Sequence, residues 1–226
     1  MEKKLRWKVV GIEENIETII SFLRTELEST PSQNTKTIRK IGRWVEDLIF
    51  IRNAIKNIEN TLQPELEKKI RFKLESSSIL TAALFQPSVK NLFNELQTFF
   101  ADKGQFPVSE ENLMDLTELC EAGKVLALVG DAALDLAVLP YVWESEISNV
   151  GKITQKRSEY VSNNHLATVC DKWNLYDYRI HFDPPTSEKS DIDHVKGTLV
   201  EAVFGIIFLF YGLDAVNKAV PLLRGG

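Results

Sequence analysis

Apolar residues recur at three- and four-residue steps almost from end to end of this 226-residue chain, and no stretch alternates convincingly between apolar and polar side chains. That pattern restricts the chain to packed amphipathic helices, so the expected fold class is all-α. Ile12, Ile16, Ile19, Ile20 and Leu23 mark the first helix, which a polar stretch at residues 28–35, containing Pro31, interrupts. The second helix is expected from about Lys36 to about Leu62, with Ile41, Trp44, Val45, Leu48, Ile51, Ile55 and Ile58 on one side. Pro64 suits the first turn of a third helix, continuing through Leu66, Ile70 and Phe72. Further helices are expected from Pro87 through Phe99, from the N-cap Ser109 to near Gly123, and from about Lys124 to near Pro140. Residues 151–164 lead into another helix ending at Trp173. After a polar loop at 176–190, Asp191 or Asp193 can cap the last long helix. A soft boundary falls between residues 75 and 80, dividing a helical extension, residues 1–77, from a second domain, residues 78–226.

Charge limits the partners. The net charge is −5, so no global field gathers nucleic acid. It is unevenly spread: residues 1–75 carry +3 and residues 76–226 carry −8. Cys120 and Cys170 stand alone, which excludes a disulfide framework or a cysteine zinc site and suits reduced core thiols in a cytoplasmic protein. The N-terminus lacks the apolar stretch of a signal peptide. The longest apolar run, residues 202–213, is too short to span a bilayer and suits a core helix or a subunit interface, so no membrane partner is expected.

Two segments concentrate the chemistry. Residues 126–135 (LALVGDAALD) and 197–205 (GTLVEAVFG) each read as a helix placing one acid, Asp131 or Glu201, in an apolar run. An unpaired charge there is costly unless it is paired or binds a cation. If the two helices packed so that the acids met at 4 Å, their repulsion at an effective dielectric near 20 would be about 4 kcal/mol. A bound Mg²⁺ or Mn²⁺ would remove it. On spacing alone the plainer arrangement, Asp131 capping a helix and Glu201 meeting a lysine, is the commoner one. Asp135 lies one turn beyond Asp131, Ala127 one turn before it, and Thr198 one turn before Glu201.

From about Ser78 onward the chain resembles the ribonuclease III family. Residues 126–135 look like its signature helix around Gly-Asp-Ala. Residues 151–167 look like its next segment, with Thr154, Arg157, Val161, Ser162, Asn163, Leu166 and Ala167 in step. Residues 83–88 (ALFQPS) resemble its opening motif, and residues 200–212 resemble its last signature helix. Two of the four acids of full-length bacterial ribonuclease III map onto Asp131 and Glu201, which the resemblance makes catalytic and metal-binding. The other two fall on Ala127 and Thr198. The Mini-ribonuclease III branch is similar in having a non-acid and a threonine there, and in lacking a double-stranded-RNA-binding domain.

The resemblance implies a metal-dependent endoribonuclease acting on structured or double-stranded RNA, with ribosomal RNA precursors in view, working as a two-fold homodimer with Mg²⁺ or Mn²⁺. The other function it leaves open is a catalytically inactive RNA- or ribosome-binding scaffold, favoured by the missing acids and by an acidic loop at 176–193 where Mini-ribonuclease III has a basic one. Thr198 and Asp135 fall next to the metal-binding acids, with Thr198 also suited to plain packing and Asp135 to solvent or a cap. Lys156 and Arg157 could meet phosphate or brace the fold. Lys36, Arg39, Lys40 and Arg43 share one side of a helix and could meet RNA or simply be solvated, and Lys3, Lys4, Arg6 and Lys8 form a second basic cluster. Asn163 suits a turn, the three histidines lack ligand spacing, and Trp44, Trp143 and Trp173 suit apolar faces.

Overall fold

The structure is a computed structural model that describes residues 8, 10–74, 77–101, 106–143 and 149–224. Lys3, Lys4 and Arg6 lie outside the described residues. The protein is all-α. Its helices are α1 (Ile12–Ser29), α2 (Thr35–Asn57), α3 (Gln63–Ile70), α4 (Ser77–Leu84), α5 (Lys90–Phe100), α6 (Glu110–Val142), α7 (Val150–Val161), α8 (Asn163–Trp173), α9 (Lys189–Tyr211), α10 (Leu213–Ala219) and α11 (Pro221–Arg224). Among the described residues the nearest thing to a sheet is one bridge, Phe85 with Ile180, which pins the loop after α8 to the end of α4.

The α2–α3 junction shows how the chain accommodates Pro64. A proline there has no N–H to give and crowds the carbonyl four residues earlier. The helix does not break. It widens into a π-helical turn at Ile58–Leu62, with the Gln63 amide donating to the Ile58 carbonyl. The apolar side of α2 therefore continues inward through Ile58 and Leu62, both fully buried. α3 stops at Arg71, whose φ of 62° is left-handed, so Phe72 falls outside the helix.

The largest departure from the sequence expectation is α6. Instead of ending near Gly123 and restarting at Lys124, it is one helix of 33 residues. Ser109 does cap it, accepting from the Asn112 amide at 3.1 Å. Gly123 is present for packing: a Cβ there would lie 2.8 Å from the Ala83 carbonyl oxygen, so α4 crosses where a side chain is missing. α9 starts at Lys189 after Glu188, with Asp191 in its first turn and Asp193 inside it, so neither aspartate is its cap. Residues 150–161 form a helix of their own, capped by the Asn149 side chain.

α6 and α9 make the most extensive helix–helix contact, and α8 packs against α9. Both α6 and α9 are long and apolar enough to cross a membrane by length and composition alone. Here they bury much of that apolar surface against each other and their neighbours. Residues on both sides of position 77 share one hydrophobic core. The Trp44 indole N–H donates to Glu95 Oε2 at 3.0 Å, Phe22 meets Phe100 edge-on at 5.1 Å, and Asn112 donates to Asn15 at 3.2 Å. Trp44 and Trp173 are buried as expected, but Trp143 is 57% exposed, because it follows the last turn of α6 and points past the core. Cys120 and Cys170 are free, buried thiols, and burial pushes both up to about 12.

Candidate metal centre

The site is built by two glycines. A Cβ on Gly130 would lie 1.8 Å from the Glu201 carbonyl oxygen, and one on Gly205 would lie 2.0 Å from the Leu126 carbonyl oxygen. Both distances are far inside van der Waals contact, so α6 and α9 cross backbone against backbone. Asp131 is the next residue after Gly130, and Glu201 stands one turn before Gly205. The glycine crossing thereby brings together two acids that are 70 positions apart in the chain.

The electrostatics record that proximity. Burial, then the neighbouring Asp131 and Asp135 carboxylates, push Glu201 up from 4.5 to about 7. Asp131 is exposed as a residue, yet its carboxyl loses hydration at the crossing and is also raised. Asp135 adds to this and Arg157 opposes it. Neither acid meets a lysine or arginine directly among the described residues, which removes the plainer reading of Glu201 as half of an ion pair. Lys196, the lysine nearest in sequence on α9, is spent on Asp171 at 2.7 Å.

The remaining expected residues divide. Thr198 donates its hydroxyl to the His194 carbonyl at 3.0 Å, leaving only acceptor capacity. Asp135 is not simply solvated: its Oδ2 accepts from Arg157 Nη1 at 2.9 Å, tying α6 to α7. Of the two roles open to Arg157, the structure shows the brace. Lys156 lies beside it on α7, half-buried. The α2 cations stand against α5 instead. Lys40 sits over the rings of Trp44 and Phe99, Arg43 pairs with Glu95 and Asp47, and Lys36 and Arg39 are exposed. Lys8 pairs with Asp115 at 2.8 Å and with Glu111 at 3.6 Å. Asn163 Nδ2 lies 3.4 Å from His194 Nδ1, where Gly197 leaves room for it, and His165 Nε2 lies 2.9 Å from the Leu223 carbonyl. Sequence reasoning missed the ion pair of Asp135, although its spacing along α6 was plain; the partner came from a separate helix.

Among the described residues, no group of three or more His, Cys, Asp or Glu side chains is arranged to hold a metal. The donors at the crossing are two carboxylates. Oxygen donors in that number suit a hard cation that keeps much of its water, such as Mg²⁺, and do not suit zinc. A cation there would offset the burial, and after it the acidic neighbours, that together raise Glu201 to about 7.

Residues 124–212 match the family model of the ribonuclease III domain, a span covering most of α6 and all of α7, α8 and α9. The match supports a ribonuclease III-family endonuclease domain over that span, and the all-helical architecture agrees with it. Domains of this family act on RNA, usually as dimers, and generally use divalent metal ions. No match to the chain was found among curated proteins.

Proposed function

We propose that the protein is a metal-dependent endoribonuclease that hydrolyses phosphodiesters in structured or double-stranded RNA, with ribosomal RNA precursors the substrates to try first. The observation that carries this reading is the meeting of Asp131 and Glu201 at the α6–α9 crossing, with Glu201 raised to about 7 by burial and by its acidic neighbours. Asp131 and Glu201 would hold Mg²⁺ or Mn²⁺. Bound there, the ion supplies Lewis-acid polarisation of the phosphodiester and a more acidic water. On holding the cation Glu201 would release its proton to solvent, and Thr198 would offer an acceptor oxygen one turn away. The exposed Lys36 and Arg39 on α2 are the cations we assign to phosphate contact, with Lys156 on α7 a further candidate.

The proposed working form is a cytoplasmic homodimer. Val125, Leu128 and Leu136 form an exposed stripe on α6, with 60%, 71% and 58% of their surface open. The stripe adjoins an apolar groove of about 480 Å³ lined by Val10, Leu119, Leu126, Val129 and Leu209. Exposed apolar surface of this kind marks an interaction face. The test is incubation of the purified protein with duplex RNA and Mg²⁺ or Mn²⁺, beside Glu201→Gln, with light scattering for mass. Cleavage that disappears in the variant, by a dimer, supports the enzyme. Duplex binding without cleavage by the unaltered protein overturns it in favour of a scaffold.

A further inference from the structure

Asp131 and Glu201 leave most of a divalent cation's positions to water, since Mg²⁺ takes six oxygens. Water in such positions points hydrogens outward and needs acceptors on the protein. One turn before each acid the chain offers little: Ala127 is a buried methyl group, and Thr198 is bonded to its own helix. One turn after Asp131 it offers Asp135. Among the described residues Asp135 is the one charged group besides Asp131 that acts on Glu201, and it acts on Asp131 too. Arg157 engages only its Oδ2 among the described residues, and the arginine's buried Nε makes no bond of its own.

We propose that Asp135 is a positioning residue of the metal site: fixed on α6 by Arg157, its carboxylate accepts hydrogen bonds from water around a divalent cation held by Asp131 and Glu201. This deepens the metal-site reading and rests on it. Asp135 is not a direct ligand, since the three acids do not form a group able to grip a metal together. Arg157 sets the orientation of the carboxylate through a bond between two helices. It also partly offsets the negative charge felt by Asp131.

The experiment is Mn²⁺ binding to the RNA-free full chain at pH 8, read by calorimetry and by the paramagnetic resonance of free Mn²⁺. Asp135→Ala and Arg157→Gln break the same ion pair, but only the first removes the acceptor. Loss of an outer-shell partner costs about ten- to a hundredfold in metal affinity. That loss is expected for Asp135→Ala and for the double variant, while Arg157→Gln, which leaves the acceptor in place but untethered, loses clearly less. An unchanged affinity in Asp135→Ala overturns the proposal. Equal losses in the two single variants also overturn it, by showing a brace and nothing more. Recovery in the double variant does the same, by tracing the loss to an unpaired arginine. If Asp135→Ala folds poorly, Asp135→Asn takes its place, with a several-fold loss expected and an unchanged affinity overturning the idea. Glu201→Gln separates the two levels: if it binds Mn²⁺ like the unaltered protein, the metal site itself is misplaced.

Discussion

Glu201→Gln is expected to make the cation-free protein more stable above neutral pH while destroying its cation site. Between about pH 4.5 and about pH 7 the folded chain keeps a proton on Glu201 that the unfolded chain has released. The folded state binds more protons in that window, so its stability falls as pH rises through it. At about 1.36 kcal/mol per pH unit, the displacement from 4.5 to about 7 sets an upper bound of about 3.4 kcal/mol. Glu201 keeps part of its contact with solvent, and screening brings the expected value down to about 1–2 kcal/mol. For a chain of this size that is a rise in Tm of about 2–8 °C. The measurement is thermal unfolding followed by circular dichroism in EDTA, at pH 8 and at pH 5. At pH 8 the variant melts above the unaltered protein, and at pH 5 the gap nearly closes because Glu201 is then largely protonated in the fold. Added Mg²⁺ stabilises only the unaltered protein, by linkage to binding. A variant that melts no higher at pH 8, or whose gap is the same at both pH values, refutes the reasoning.

Four further outcomes are expected. Mn²⁺ affinity, measured by calorimetry, falls about tenfold for each pH unit below neutrality as Glu201 takes up its proton, since each such step costs about 1.36 kcal/mol. Gly130→Ala or Gly205→Ala places a methyl group inside the partner helix backbone and lowers stability by about 3 kcal/mol or more, the upper end for overpacking; denaturant titration reads this. Trp44→Phe removes the indole bond to Glu95 and costs about 1.5–3 kcal/mol in the same titration, with Mn²⁺ binding untouched. If Lys36 and Arg39 meet duplex phosphates, replacing both with Gln flattens the slope of log affinity against log salt by about 2, as filter binding would show.

Helical periodicity made the fold class and most helix positions legible, because burial in a helical protein imposes a local three- to four-residue rhythm that no other fold shares. The two acids were legible for the same reason, as charges breaking an apolar rhythm. Gly123 was not. A glycine inside an apolar run reads as a helix end, and only the approach of α4 shows why the helix passes through it. The π-helical turn before Pro64 was hidden likewise: sequence shows the missing donor, but not whether the chain breaks or widens around it. Trp143 was misplaced because an aromatic ring at the end of a helix looks the same whether the chain turns toward the core or away from it. The Asp135–Arg157 pair depends on two helices meeting side by side, which spacing along one helix does not contain.

The contact of Gly130 with α9 and of Gly205 with α6 leaves the gap between the two helices that carry the acids with almost no slack. That gap is a property of two backbones, so it is insulated from rebuilding elsewhere. The exposed loop at residues 182–188 could be lengthened, shortened or exchanged without changing it. Adding one carbon atom at either glycine would move it at once, making the least conspicuous residues of the protein its finest mechanical adjustment.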